Sequence, residues 1–154
     1  MRIYFLLAAF VIGLDQLSKL AVEYALNPGV AVVVNPYFNL NLAYNPGAAF
    51  SLLGSAGGWQ RWLFMGIALL ASGWISAWLW RLRPGLHLQA AGLALILGGA
   101  VGNLIDRIIH GVVIDFIQWH YGAYYWPTFN LADAAISVGV ALLLLDFWRN
   151  PQST

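Results

Sequence analysis

The chain has 154 residues, of which 61% are hydrophobic and only 8% are charged, with a formal net charge of +1 at pH 7. Soluble domains carry about 25% charged residues, so this composition excludes a soluble globular protein and predicts a surface that mostly faces lipid. The small net charge argues against a nucleic-acid-binding surface. The absence of Cys excludes a disulfide framework, a catalytic thiolate and a thiolate zinc site.

Four apolar segments are each long enough to cross a bilayer, which takes about 20 residues in a helix. We therefore predict an all-α polytopic membrane protein in which residues 1–154 form a single domain. The predicted transmembrane helices are Ile3–Leu26, Trp59–Trp80, Leu86–Ile105 and Leu131–Trp148.

The basic residues predict the orientation of these helices. If the helices alternate in direction, four arginines fall on the same side of the membrane: Arg2, Arg81, Arg83 and Arg149. An excess of Lys and Arg marks cytoplasmic connections. Both termini are therefore expected in the cytoplasm, and the two long connections are expected on the outer, periplasmic side.

The two outer connections differ in character. Residues 27–58 contain "AVVV" and "FNLNLAY", which predict a small β element bounded by Asn-Pro turns. Residues 108–128 contain "FIQWHYGAYYWPTF", which we interpret as an aromatic-rich loop. Its Trp and Tyr side chains suit the membrane interface, either as anchors alone or as a lid or wall over a substrate.

Most acidic residues fall toward the outer side, and several have a structural explanation. Asp15 precedes Lys19 by four residues, so the two can pair on one helix face. Asp106 can pair locally with Arg107. Asp133 can favour the first turn of the fourth helix through the helix dipole, where Asn130 is a candidate N-cap.

Asp115 and Asp133 differ from the other acids because the chain brings both to one membrane boundary in apolar surroundings. Two such carboxyls are expected to share a proton, one acting as base on a water and the other as acid toward a carbonyl oxygen. Asp106 with Asp133 is the alternative pair. The sequence has no HExxH or GxSxG motif, so a hydrolase with paired carboxylates and neither metal nor cofactor is predicted.

Five short motifs occur in order along the chain: "DQLSK" (15–19), "NPGAAFSLL" (45–53), "GGAVGNLIDR" (98–107), "VIDF" (113–116) and "FNLAD" (129–133). Together they closely resemble bacterial lipoprotein signal peptidase, or signal peptidase II. The resemblance covers essentially the whole chain. It implies an aspartic endopeptidase of the bacterial inner membrane, with its active site near the periplasmic face, that needs no cofactor.

By this resemblance the enzyme cleaves diacylglyceryl-modified prolipoproteins just before the lipidated Cys, and its expected partners are that substrate and membrane lipids, with the enzyme a monomer. The resemblance makes Asp115 and Asp133 catalytic. It assigns a second group to the substrate groove, namely Asn45, Asn103, Arg107 and Asn130. Asp15, Lys19 and Asp106 match supporting polar positions.

Two other classes of function remain open from the residues alone. A small proton-coupled transporter could use intramembrane carboxylates as proton carriers. The acids cluster on one side rather than at the midplane, however, and the sequence lacks inverted repeats, which argues against this reading. A non-catalytic assembly factor would leave the acidic motifs without a role.

Overall fold

The computed structural model describes residues 2–47 and 57–149. Within them lie four helices long and apolar enough to cross a membrane: α1 (Ile3–Ala25), α2 (Trp59–Arg81), α3 (His87–Ile109) and α4 (Leu131–Arg149). Four spanning helices were predicted, and this is confirmed. The third was predicted too short, because α3 continues four residues beyond Ile105. Most of the "NPGAAFSLL" motif lies outside the described residues.

The strands form one antiparallel sheet in the order β1 (Val32–Asn35), β2 (Phe38–Asn45), β3 (Val113–Tyr121) and β4 (Tyr124–Tyr125). The small β element is confirmed by β1 and β2. The prediction of a loop after α3 was wrong, because β3 is the longest strand and pairs with β2. Its first four residues are all buried, so the alternation of apolar and polar residues that marks a half-buried strand is missing.

Helix α3 lies at the centre of the bundle and packs on the other three helices. It is 56% buried over its most apolar window, compared with 11–22% for the others. Close packing against α4 depends on small residues, as is common between membrane helices. A Cβ on Gly139 would lie 2.6 Å from the carbonyl oxygen of Gly92. The outward faces of the helices carry large exposed apolar side chains, such as Phe10 and Leu70.

Connectivity places the sheet at one end of the bundle. The short turn at residues 82–86 joins α2 to α3 at the opposite end, where the Arg2 guanidinium lies 4.9 Å from the ring centre of Trp80. At the sheet end, Arg61 near the start of α2 donates to the carbonyl of Ile108 at 3.1 Å. The polar residues near the ends of α1 and α3 and the start of α4 are thereby gathered beneath the sheet.

Candidate functional site

A buried lysine ties α1 to α3. Lys19 is 2% exposed, and its ammonium lies 2.7 Å from Asp15 Oδ2 and 2.8 Å from Asp106 Oδ2. It also donates to Asn103 Oδ1 at 3.1 Å, so all three N–H donors have acceptors. The predicted local pair of Asp106 with Arg107 was wrong: within the described residues Asp106 pairs with Lys19 across helices, and Arg107 donates to backbone carbonyls instead. A Cβ on Gly102 would lie 2.6 Å from Asp15 Oδ2, so glycine is needed for this approach.

Gln16 belongs to the same cluster, although the sequence analysis did not single it out. Its amide donates to Asp106 Oδ1 at 2.8 Å and to the Gly102 carbonyl at 3.2 Å. Asp106 Oδ2 in turn accepts the backbone N–H of Ile114 at 3.1 Å. Asp106 thus joins α1, α3 and the start of β3. A glutamine beside an acid–base pair was the only sequence signal for its role.

The start of α4 is held by side chains from two places in the chain. Asn130 Oδ1 accepts the N–H of Asp133 at 2.9 Å, and Asp133 Oδ2 accepts the N–H of Asn130 at 3.3 Å. This is a reciprocal capping arrangement. Asp15 Oδ1 accepts the N–H of Ala132 at 3.0 Å, so an acid of α1 satisfies an amide that the first turn of α4 leaves open.

Asp115 lies on β3, directly below that helix start, and is 2% exposed. Its Oδ1 accepts Asn130 Nδ2 at 2.7 Å and its Oδ2 accepts Asn45 Nδ2 at 3.0 Å. Asp133 Oδ1 accepts Asn103 Nδ2 at 2.8 Å. Asn130 Nδ2 also lies 3.1 Å from Asn103 Oδ1. One bridge of amides therefore joins the two carboxyls.

Arg107 borders this group from the last turn of α3. It donates to the carbonyl of Gly47 at 3.0 Å and to that of Asn103 at 3.3 Å. Its guanidinium lies 5.3 Å from the ring centre of Phe64 on α2, within the range of a cation–π contact. The structure therefore gathers all nine polar residues singled out from the sequence into one continuous network where the sheet meets the helices.

The environment of Asp115 favours its neutral form. Burial, and then the charge of Asp133, raise its pKa from 3.8 to about 7, against the opposing effects of hydrogen bonds from Asn45 and Asn130 and the charge of Lys19. A carboxyl that holds its proton to this pH can act as an acid under physiological conditions.

Among residues 2–47 and 57–149, no group of three or more His, Cys, Asp or Glu could hold a metal ion.

The raised pKa of Asp115 predicts a pH-dependent stability. Between its unfolded pKa of 3.8 and its folded pKa of about 7, the folded chain keeps a proton that the unfolded chain loses. Its stabilising contribution is complete below about pH 4 and is lost as pH rises through about 7. We expect the thermal midpoint of the wild type to fall relative to that of Asp115→Asn between pH 5 and 7, and the difference between the two midpoints to stay constant above about pH 8. A difference that is the same at every pH would contradict the raised pKa.

A family model described as "Signal peptidase (SPase) II" matches residues 7–149. The chain belongs to the signal peptidase II family. It is therefore a peptidase, its four long helices are apolar enough to cross a membrane, and the transporter and assembly-factor alternatives are set aside.

Relatives of this signal peptidase II family member include the lipoprotein signal peptidase of Cellvibrio japonicus, 53% identical over 152 residues, which cover 98% of this chain and 89% of the relative. The lipoprotein signal peptidase of Azoarcus sp. is 49% identical over 141 residues, which cover 92% of this chain and 80% of the relative. A bacterial membrane enzyme solved by the in meso method is 26% identical and superposes with a TM-score of 0.87, covering 100% of this chain and 92% of that one. A second bacterial membrane enzyme solved by the same method superposes with a TM-score of 0.83; it is 26% identical, and the match covers 100% of this chain and 96% of that one.

Proposed function

We propose that this family member removes the signal peptide from diacylglyceryl-modified prolipoproteins, cutting just before the lipidated Cys. The observation that carries the proposal is the bridge of amides that holds Asp115 and Asp133 in one buried network. The curated relatives are named lipoprotein signal peptidases, which supports the choice of substrate.

In the proposed reaction, a water attacks the carbonyl carbon of the scissile peptide bond. The ionised carboxyl of the pair takes a proton from that water while the protonated carboxyl donates its proton to the carbonyl oxygen. Collapse of the tetrahedral intermediate breaks the C–N bond and returns the hydroxyl proton to the carboxyl that donated it, and the amine leaves with the proton first taken from the water. Asp115 suits the acid role because its pKa is raised to about 7.

The side chains around the pair have two proposed roles. Asn45, Asn103 and Asn130 donate to the two carboxyls, so we propose that they orient the acids and also border the peptide. Arg107 holds the carbonyl of Gly47 and is proposed to line the groove. Lys19, with Asp15 and Asp106, supports the arrangement without touching the peptide.

We place the protein in the bacterial inner membrane as a monomer, with the active site near the periplasmic face and both termini in the cytoplasm. Arg2, Arg81 and Arg83 lie at the end of the bundle opposite the sheet, where the positive-inside rule places the cytoplasm. Substrate and membrane lipids are the expected partners. A lipid-modified substrate can reach the site from within the bilayer because its acyl chains never leave the hydrocarbon.

The acyl chains of the substrate are expected to raise the rate of cleavage. Each buried CH₂ group contributes about 0.8 kcal/mol to membrane partitioning, so a lipidated precursor should be cut at least about tenfold faster than the same peptide without lipid, an effect of only about 1.4 kcal/mol. We would measure kcat/KM for both peptides with purified enzyme in nanodiscs. The Asp115→Asn variant is the control for cleavage by contaminants, and equal values for the two peptides would refute the assigned substrate.

A further inference from the structure

A cavity of about 570 Å³ opens on the sheet, within the size range of small-ligand sites. It is separate from the acidic pair, because His120 lies five residues from Asp115 along an extended strand, or about 16 Å. None of its lining residues is Asp, Glu, Lys or Arg. All of them except Asn35 carry an aromatic ring, among them Tyr37, Trp119, His120, Tyr121, Tyr125 and Trp126.

The rings around this cavity are arranged in stacked pairs. Tyr37 and Tyr121 stack with their centres 6.1 Å apart and their planes at 6°. His120 and Tyr125 stack at 5.1 Å and 22°. Ring faces carry partial negative charge and attract cations, and no Lys or Arg side chain in the lining competes for them. The cavity is therefore complementary to a small cationic group.

His120 adds hydrogen-bonding capacity to the cavity. Both of its ring nitrogens are buried and have no hydrogen-bond partner within the part of the chain that the structure describes. A neutral imidazole offers one donor and one acceptor, and buried polar groups in proteins are normally satisfied. Tyr125, whose ring stacks on His120, is 59% exposed, and access of a ligand to the two buried nitrogens requires this ring to move aside. A ligand with both an N–H donor and an anionic oxygen would satisfy both nitrogens.

We propose that this aromatic cavity binds the headgroup of phosphatidylethanolamine from the surrounding bilayer. The primary ammonium lies over the ring faces and donates to the acceptor nitrogen of His120, while the phosphodiester oxygen accepts from the other. The sheet follows directly on the ends of the apolar helices, which would bring it to the level of the headgroups. The volume of about 570 Å³ is large enough for one headgroup. This binding site is independent of the proposed peptidase reaction.

Native mass spectrometry of the purified chain in micelles with equal amounts of phosphatidylethanolamine, phosphatidylcholine and phosphatidylglycerol tests the proposal. Desolvated cation–π contacts reach about 2 kcal/mol, so we expect about tenfold more bound phosphatidylethanolamine than phosphatidylglycerol. Phosphatidylcholine should bind less well, because its quaternary ammonium has no N–H to donate to His120. Equal retention of all three lipids, or retention of phosphatidylcholine as strong as that of phosphatidylethanolamine, would overturn the proposal.

Two variants locate the bound lipid. His120→Phe keeps the ring stack and removes both nitrogens, and Tyr121→Leu removes one exposed ring; each should abolish the preference for phosphatidylethanolamine. Trp148→Leu is the matched control, because Trp148 is 78% exposed at the opposite end of the bundle and its loss should leave the preference intact. If both cavity variants retain the lipid as the wild type does, the lipid binds elsewhere and the proposal fails.

Discussion

Asp115→Asn and Asp133→Asn are each expected to lower the rate of precursor cleavage by about 10²–10⁴-fold or more, the usual worth of a positioned acid or base. An amide has nearly the shape of a carboxyl but cannot share or transfer the proton. Both variants should still fold and insert in the membrane. A gel-shift assay on lipidated precursor, together with the thermal midpoint, measures both properties in one preparation.

Glu23→Gln is the charge-matched control for these two variants. Glu23 accepts a hydrogen bond from Tyr44 at 3.0 Å and, among the described residues, has no hydrogen bond or ion pair with Asp115 or Asp133, so its loss should leave turnover near that of the wild type. Activity should also fall above about pH 7, as the pair loses the proton that Asp115 retains to that pH. Either Asp variant with near wild-type turnover would remove that residue from the mechanism.

Asp133 needs a further variant because it also belongs to the capping arrangement with Asn130. If its role were limited to the helix start, Asp133→Ser would cost only the dipole interaction of about 0.3–1 kcal/mol and would remain active per folded molecule. If it shares the catalytic proton, Asp133→Ser should be inactive with a nearly unchanged thermal midpoint. The carboxylate accepts from Asn130 at a long 3.3 Å, so we expect the second result.

Lys19→Met is expected to lower the free energy of unfolding by about 3–5 kcal/mol, since it leaves buried carboxylates without their counter-charge. That corresponds to a fall in thermal midpoint on the order of 10 °C. Arg83→Met is the control, because Arg83 is exposed and exposed cations contribute at most about 1 kcal/mol. Thermal unfolding in detergent compares the two variants.

The Asp106→Asn variant tests whether Asp106, in the same cluster, stabilises the fold or takes part in the reaction. Asp106 contacts Lys19, Gln16 and the N–H of Ile114, so its variant should lose stability before it loses activity per folded molecule. The double variant with Lys19→Met should lose less free energy of unfolding than the sum of the losses in the two single variants. A stable but inactive Asp106→Asn would favour the alternative pair of Asp106 with Asp133.

The helices could be predicted because lipid demands long apolar segments, which are visible without any knowledge of the tertiary structure. Strand β3 could not be predicted in the same way. Residues 113–116 are buried by neighbours on both faces, and Ile117 also pairs with Phe129, so no alternation of polarity appears in the sequence. Pairing with β2, a partner about 70 residues away, decides the conformation.

In the candidate site, too, some contacts could be predicted from the sequence and others could not. The alternating direction of the helices predicted that Asp115, in the connection after the third helix, and Asp133, at the start of the fourth, lie at one boundary, and spacing predicted Asp15 beside Lys19. The contact of Lys19 with Asp106 and the bridging amide of Asn130 join residues far apart in sequence. Such contacts depend on how the helices pack, and the sequence pattern carries no signal for them beyond the residue types themselves.

The hydrogen bond from the N–H of Ala132 to Asp15 makes one helix depend on another for the placement of a proposed catalytic group. Helices that cross a bilayer adjust their tilt to its thickness. A change in tilt that shifts α1 relative to α4 would move the anchor of the first turn of α4, and with it the carboxyl of Asp133. We therefore expect activity to depend on lipid chain length, to an extent limited by the rigidity of the contacts among α1, α3 and α4.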